Sequence, residues 1–175
     1  MIHYVIINNI IMSVQSSEQF VFHVTTADRA EQCLTEGIIP GKTSQCSPGS
    51  LEMDYAYDAA RPQHVINCGV SRRQSVYAHP ELDHALRRRN GGWLNRVQSK
   101  LAVLSIYVAN MSEAYVCDGL LNVAPHTAEE YWASFTTLDH YRSQDTPVFI
   151  DLDTYNKKYQ KRFIYMWPEV LLPRT

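Results

Sequence analysis

The stretch from Gln19 to Gly37 constrains the fold most. Residues 19–25 (QFVFHVT) are rich in aromatic and β-branched side chains and read as a strand. Thr26 or Asp28 is placed to cap a helix over residues 27–36. Ala30, Cys33 and Leu34 fall on one face of that helix, the face expected to pack on a sheet. Gly37 then suits the left-handed backbone on which helices end, and the chain leaves as Gly37-Ile38-Ile39-Pro40.

The rest of the chain divides less evenly. Residues 41–63 read as a long loop with Gly41, Ser44, Ser47, Pro48, Gly49 and Ser50, followed by Tyr55 and Tyr57. A loop that long in a compact domain is often functional. Residues 65–70 carry no clear period, and residues 76–78 look like a strand end. Pro80 fits the first turn of a helix reaching Arg89, whose last turn holds Arg87, Arg88 and Arg89 and which Asn90-Gly91-Gly92 stops. Residues 101–108 form a strong, mostly apolar strand, expected at the centre of a sheet. Residues 114–117 read as another strand. Residues 125–135 read as a helix capped by Thr127, with the Tyr131, Trp132 and Phe135 stripe in the core. Three short strands follow, over residues 148–152, 162–167 and 169–172. Helices concentrated early and strands late predict an α+β fold rather than a βαβ repeat.

A length of 175 residues predicts one domain, 1–175. The net charge of −2 gives no general field that would draw nucleic acid or an anionic membrane, although a local patch can. Residues 1–12 are apolar but lack Lys, Arg and a small-residue cleavage site, so they do not read as a secretory signal. They read as an edge strand, or as an extension upstream of Met12. Residues 6–11 are too short and too polar to span a bilayer. Cys33, Cys46, Cys68 and Cys117 include no Cys-x-x-Cys pair and match no zinc module, so no metal is expected. His79 and His84 have the wrong helical spacing to share one. Cys117-Asp118 carries no local signature of a thiol nucleophile, and no Gly-rich phosphate loop is present. A reducing, cytoplasmic setting is expected, with delivery into a host cell as an effector left open.

Three local contexts carry the chemistry: Phe22-His23-Val24-Thr25-Thr26, Ser75-Val76-Tyr77-Ala78 and Trp167-Pro168-Glu169-Val170. Singly, a strand histidine, an edge tyrosine and a strand-end glutamate all have ordinary structural roles. Together, the strand with His-x-Thr, the helix after it and the Gly-Ile-Ile-Pro exit resemble the opening of the ADP-ribosyltransferase fold. In that superfamily a separated His, Tyr and Glu handle NAD, as in the PARP and diphtheria-toxin-like enzymes. The resemblance implies two small packed β-sheets that form an NAD cleft, with flanking helices.

It also implies roles. His23 would hydrogen-bond the adenosine ribose, the Val24 backbone would hold the nicotinamide carboxamide, and Thr25 occupies the motif's hydroxyl position. Tyr77 would stack on nicotinamide. Glu169, opening the run Glu169-Val170-Leu171-Leu172, would be catalytic. The DNA-modifying DarT type uses an arginine in the central role, so Arg72 or Arg73 is a second candidate and could contact the pyrophosphate. Tyr55 and Tyr57 are rival stacking residues. The chemistry needs such a set. Cleaving the nicotinamide–ribose bond passes through an oxocarbenium-like state that a carboxylate stabilises, while an aromatic face suits the pyridinium ring and His or Arg fixes ribose and pyrophosphate.

The resemblance thus predicts a mono-ADP-ribosyltransferase with NAD as substrate and a macromolecular acceptor, protein rather than nucleic acid. Arginine-directed members carry Glu-x-Glu or Gln-x-Glu at the catalytic glutamate. Trp167-Pro168-Glu169 lacks that first carboxylate or amide, which disfavours arginine as acceptor. Two rival readings are an NAD-dependent RNA 2′-phosphotransferase, for which Arg72 and Arg73 would be the basic contacts, and a non-catalytic NAD- or ADP-ribose-binding module.

Overall fold

The computed structural model describes residues 2–5, 19–38, 48–90, 101–122, 127–144 and 167–173. The elements in chain order are β1 (Ile2–Val5), β2 (Phe20–Thr26), α1 (Ala27–Glu36), α2 (Pro48–Ala59), α3 (Gln63–Asn67), β3 (Val76–Ala78), α4 (Leu82–Asn90), β4 (Leu101–Tyr107), β5 (Tyr115–Asp118), α5 (Ala128–Ala133), β6 (Thr136–Thr137), α6 (Leu138–Ser143) and β7 (Pro168–Leu172). Single 3₁₀ turns lie at Met111–Glu113 and Gly119–Asn122.

Two antiparallel sheets result. The first has the order β1-β4-β2, with the apolar β4 at its centre as its composition demands. His23 pairs with Leu104 and Thr25 with Ala102. The second has the order β3-β7-β5-β6, in which Tyr77 pairs with Leu171 and Cys117 with Glu169. Backbone joins the sheets where β2 meets the residue after β3: Phe22 N–H donates to His79 O at 2.8 Å, and His79 N–H to Phe22 O at 2.7 Å.

Alternation along the strands sorts the core into layers. Val21, Ala78, Val116, Leu138 and Val170 are buried together between the sheets. On the opposite face of the second sheet, Cys117 and Leu171 pack against Tyr57, Val65, Tyr131 and Trp132 from the helices. The first sheet packs Phe22 and Val103 on Ala85 of α4, and Ala102 and Leu104 on Ala30 of α1. Fully burying a side chain such as Leu104 or Leu171 stabilises the fold by roughly 1.5–3 kcal/mol.

The α+β class is as expected, but several details differ. Strands and helices are not segregated along the chain, because each sheet is assembled from distant segments. Much of the stretch read as a loop is the helix α2. Pro48 and Gly49 look like breakers, yet proline is tolerated in a first helical turn and the residues after them are good helix formers. Thr26 sits at the cap of α1 in extended backbone without a side-chain capping bond, and Gly37 has φ 79°. Leu34 is 42% exposed, so α1 packs through a narrower face of Ala30 and Cys33. The α5 helix stops at Ala133 and begins with a capping box between Thr127 and Glu130. β6 and α6 follow it, both absent from the sequence reading. Ile39 and Pro40, residues 41–47, Gly91-Gly92, the strand expected at 148–152, all but Trp167 of the strand expected at 162–167, and the side chains of Arg87, Arg88 and Arg89 lie outside the described residues.

Candidate functional site

The site is built on the turn that precedes β3. Ser75 N–H donates to Ser71 O at 2.8 Å, which closes the turn. The Asp58 carboxylate of α2 accepts from Ser71 Oγ at 2.6 Å, Arg72 N at 2.7 Å and Arg73 N at 3.3 Å. Tyr77 hydroxyl donates to Arg72 O at 2.7 Å. The Arg72 peptide is therefore held on both its donor and its acceptor side.

So held, the Arg72 side chain enters the interior and is only 5% exposed. Its Nη1 donates to Glu169 Oε1 at 2.6 Å, and its Nε to Asp54 Oδ1 at 2.7 Å. Its guanidinium lies over the rings of Tyr57, Tyr77 and Tyr131, at 5.5, 5.2 and 4.8 Å from their centroids. Tyr131 hydroxyl also donates to Glu169 Oε1. Glu169 is in β7, opposite Cys117 and on the face covered by the helical aromatics. Only 9% exposed, it needs these partners, because an uncompensated buried charge costs several kcal/mol.

Burial is the largest single influence on Arg72 and opposes its charge, but Glu169, Tyr131, Tyr77 and Asp54 together outweigh it and the guanidinium pKa rises. Burial pushes the Tyr77 and Tyr131 phenols well above their usual value, so both hydroxyls stay protonated donors at neutral pH. Burial above all, with the Glu169 charge, also pushes the Cys117 thiol upward, which makes it a poor nucleophile.

His23 joins this group through β3. Its Nδ1 lies 2.6 Å from Tyr77 O. A carbonyl only accepts, so Nδ1 carries the hydrogen and Nε2 of the neutral ring is left as an acceptor. Burial lowers the imidazole pKa against the opposing pull of the Tyr77 carbonyl, and the Arg29 charge lowers it further.

His23, Tyr77, Arg72 and Glu169 thus form one connected chain of hydrogen bonds. The other sequence candidates lie beside it or outside it. Val24 and Thr25 are half-buried in β2 next to His23, and Val24 packs toward Phe22 and Ala85. Arg73 is exposed, with its guanidinium carbon 3.7 Å from the ring centroid of Tyr55. Tyr55 is 54% exposed on α2 and takes no part in the buried group. Tyr57 does take part, through its ring under Arg72 and its hydroxyl, which donates to Leu121 O at 3.0 Å.

Sequence reasoning missed Asp54 and Asp58, assigned Tyr131 only to the core, and passed over Gly119. Asp54, Tyr57 and Asp58 have helical spacing, a signal hidden by reading the segment as a loop. Gly119 follows β5, and a Cβ there would lie 3.0 Å from Glu169 Oε2. Among the described residues no group of His, Cys, Asp or Glu is placed to hold a metal, and no helix is long and apolar enough to cross a membrane. Compared with known proteins, the chain matches no family model, no curated protein and no solved structure.

Proposed function

We propose that the chain is an NAD-consuming mono-ADP-ribosyltransferase with Glu169 as its catalytic carboxylate. The observation that carries this reading is the Arg72–Glu169 contact at 2.6 Å, linked through Tyr77 to His23. A buried Arg–Glu pair among tyrosines is a high-stakes arrangement, and hydrophobic residues in its place are often neutral or stabilising. Stability alone does not call for it.

In this reading NAD is the substrate. The bond between nicotinamide nitrogen and ribose C1′ breaks, and nicotinamide leaves with the electron pair. The Glu169 carboxylate stabilises the positive charge that develops on the ribose and orients its 2′-hydroxyl. The acceptor then attacks C1′ and loses its proton. His23 offers Nε2 to a ribose hydroxyl, and the Val24 backbone and Thr25 adjoin it for the carboxamide end. Arg72 rather than Tyr77 takes the central role, because the Tyr77 hydroxyl is engaged by the Arg72 carbonyl and its ring lies beneath the guanidinium. That choice is similar to the DarT type. Trp167 in place of an acid or amide disfavours arginine as acceptor, and protein remains the preferred acceptor class. The 2′-phosphotransferase reading has less support, since only Arg73 of the two arginines is exposed.

The test is incubation with NAD labelled in both halves, alone and with a cell lysate. The proposal predicts free nicotinamide together with ADP-ribose label on macromolecules. NAD binding with neither product would instead indicate a binding module and overturn it.

A further inference from the structure

The two oxygens of Glu169 have different surroundings. Oε1 accepts from both Arg72 Nη1 and the Tyr131 hydroxyl. Oε2 accepts no hydrogen bond from the described residues and faces Gly119. The register explains this. Cys117 is opposite Glu169, and two residues on, Gly119 N–H donates to Trp167 O at 2.8 Å. Gly119 opens the 3₁₀ turn after β5, and this bond sets it against Trp167, diagonal to Glu169. A side chain at Gly119 would stand against Oε2.

The space there is tight. A Cβ at Gly119 would lie 3.0 Å from Oε2 and 3.1 Å from both Trp167 Cδ1 and Trp167 O. The Trp167 main chain is held, since its carbonyl accepts from Gly119 and its N–H donates to Asp118 Oδ1 at 3.0 Å. With that carbonyl held, the Glu169 carboxylate and the Trp167 ring are the neighbours that would have to give by a few tenths of an ångström. Gly119 itself is half-buried, so the gap lies at a partly open edge.

We propose that Gly119 is a positioning residue that keeps Oε2 open to the ribose hydroxyl while Oε1 is anchored. Building on the catalytic reading of Glu169, this names its working oxygen. Arg72 and Tyr131 draw charge onto Oε1 and hold it, so Oε2 is the lone-pair donor that remains for substrate.

The test begins without NAD. Trimethyloxonium methylates carboxylates: an oxygen attacks a methyl group, and dimethyl ether leaves. In the wild-type protein Glu169 should be methylated, with the exposed Glu52 as internal control, read by peptide mass spectrometry. In Gly119→Ala, methylation of Glu169 should fall roughly tenfold while Glu52 is unchanged, because a fixed atom then crowds the reacting oxygen. No methylation of Glu169 in wild type while Glu52 reacts overturns the proposal, and so does equal methylation in both proteins. If Gly119→Ala does not fold, the wild-type result decides. With NAD, Gly119→Ala should lower kcat for nicotinamide release by about 10- to 100-fold with little change in KM. An unchanged kcat overturns the positioning role. A wild-type protein that releases no nicotinamide defeats the ADP-ribosyltransferase reading instead, and the methylation result still decides whether Gly119 keeps the Glu169 carboxylate open.

Discussion

Asp58 holds Arg72 by its main chain rather than by its charge. The carboxylate accepts from Arg72 N at 2.7 Å, while the guanidinium goes to Glu169 and Asp54. A residue in α2 thereby sets where an arginine in the next turn places its side chain. Removing the carboxylate frees the turn and leaves its donors without a partner.

Asp58→Ala should therefore destabilise the protein by about 1–3 kcal/mol in urea unfolding, with Asp58→Asn intermediate because one oxygen is kept. The loss should shrink in an Arg72→Met background, where the main-chain bonds remain but no guanidinium needs placing. Strict additivity would mean that Asp58 fastens the turn and nothing more.

Arg72→Met should be among the most damaging single changes. It leaves Glu169 buried with Tyr131 as its remaining partner, and loss of one member of a buried pair costs about 3–5 kcal/mol. The double variant Arg72→Met with Glu169→Gln should recover much of that loss, since the stranded charge is gone. Denaturant midpoints of the two single variants and the double variant would check it. A double variant no more stable than Arg72→Met would contradict the pairing.

His23 should make stability depend on acid. Its folded pKa is held below the unfolded value, chiefly by burial, so the unfolded chain takes up the proton first as pH falls. The stabilisation is present above about pH 6.5 and is lost as pH drops through the folded pKa. Replacing His23 by Gln should flatten the fall in melting temperature below that pH. An unchanged profile would show that the ring does not titrate in this way.

Much of this was legible in the sequence, and the failures have physical causes. β2, α1, Gly37 and the central β4 were readable because aromatic and β-branched runs, helical spacing and a glycine exit are local signals. His23, Tyr77, Arg72 and Glu169 were named from local motifs. That Arg72 turns inward and Arg73 outward was not readable, because it is set by Asp58 from another element. Tyr131 looked like a core residue because its ring is one; its hydroxyl meets Glu169 only once β7 lies beneath α5. Gly119 carried no signal, since the need for a missing side chain appears only when a neighbouring strand brings a carboxylate against it.

The most direct measurement compares wild type and Glu169→Gln for NAD affinity by calorimetry and for nicotinamide release by chromatography. Charge aimed at the transition state should affect the reaction and not the bound ground state. The account predicts that Glu169→Gln binds NAD nearly as well as wild type while nicotinamide release falls by about 100-fold or more. Equal release from both proteins would contradict it.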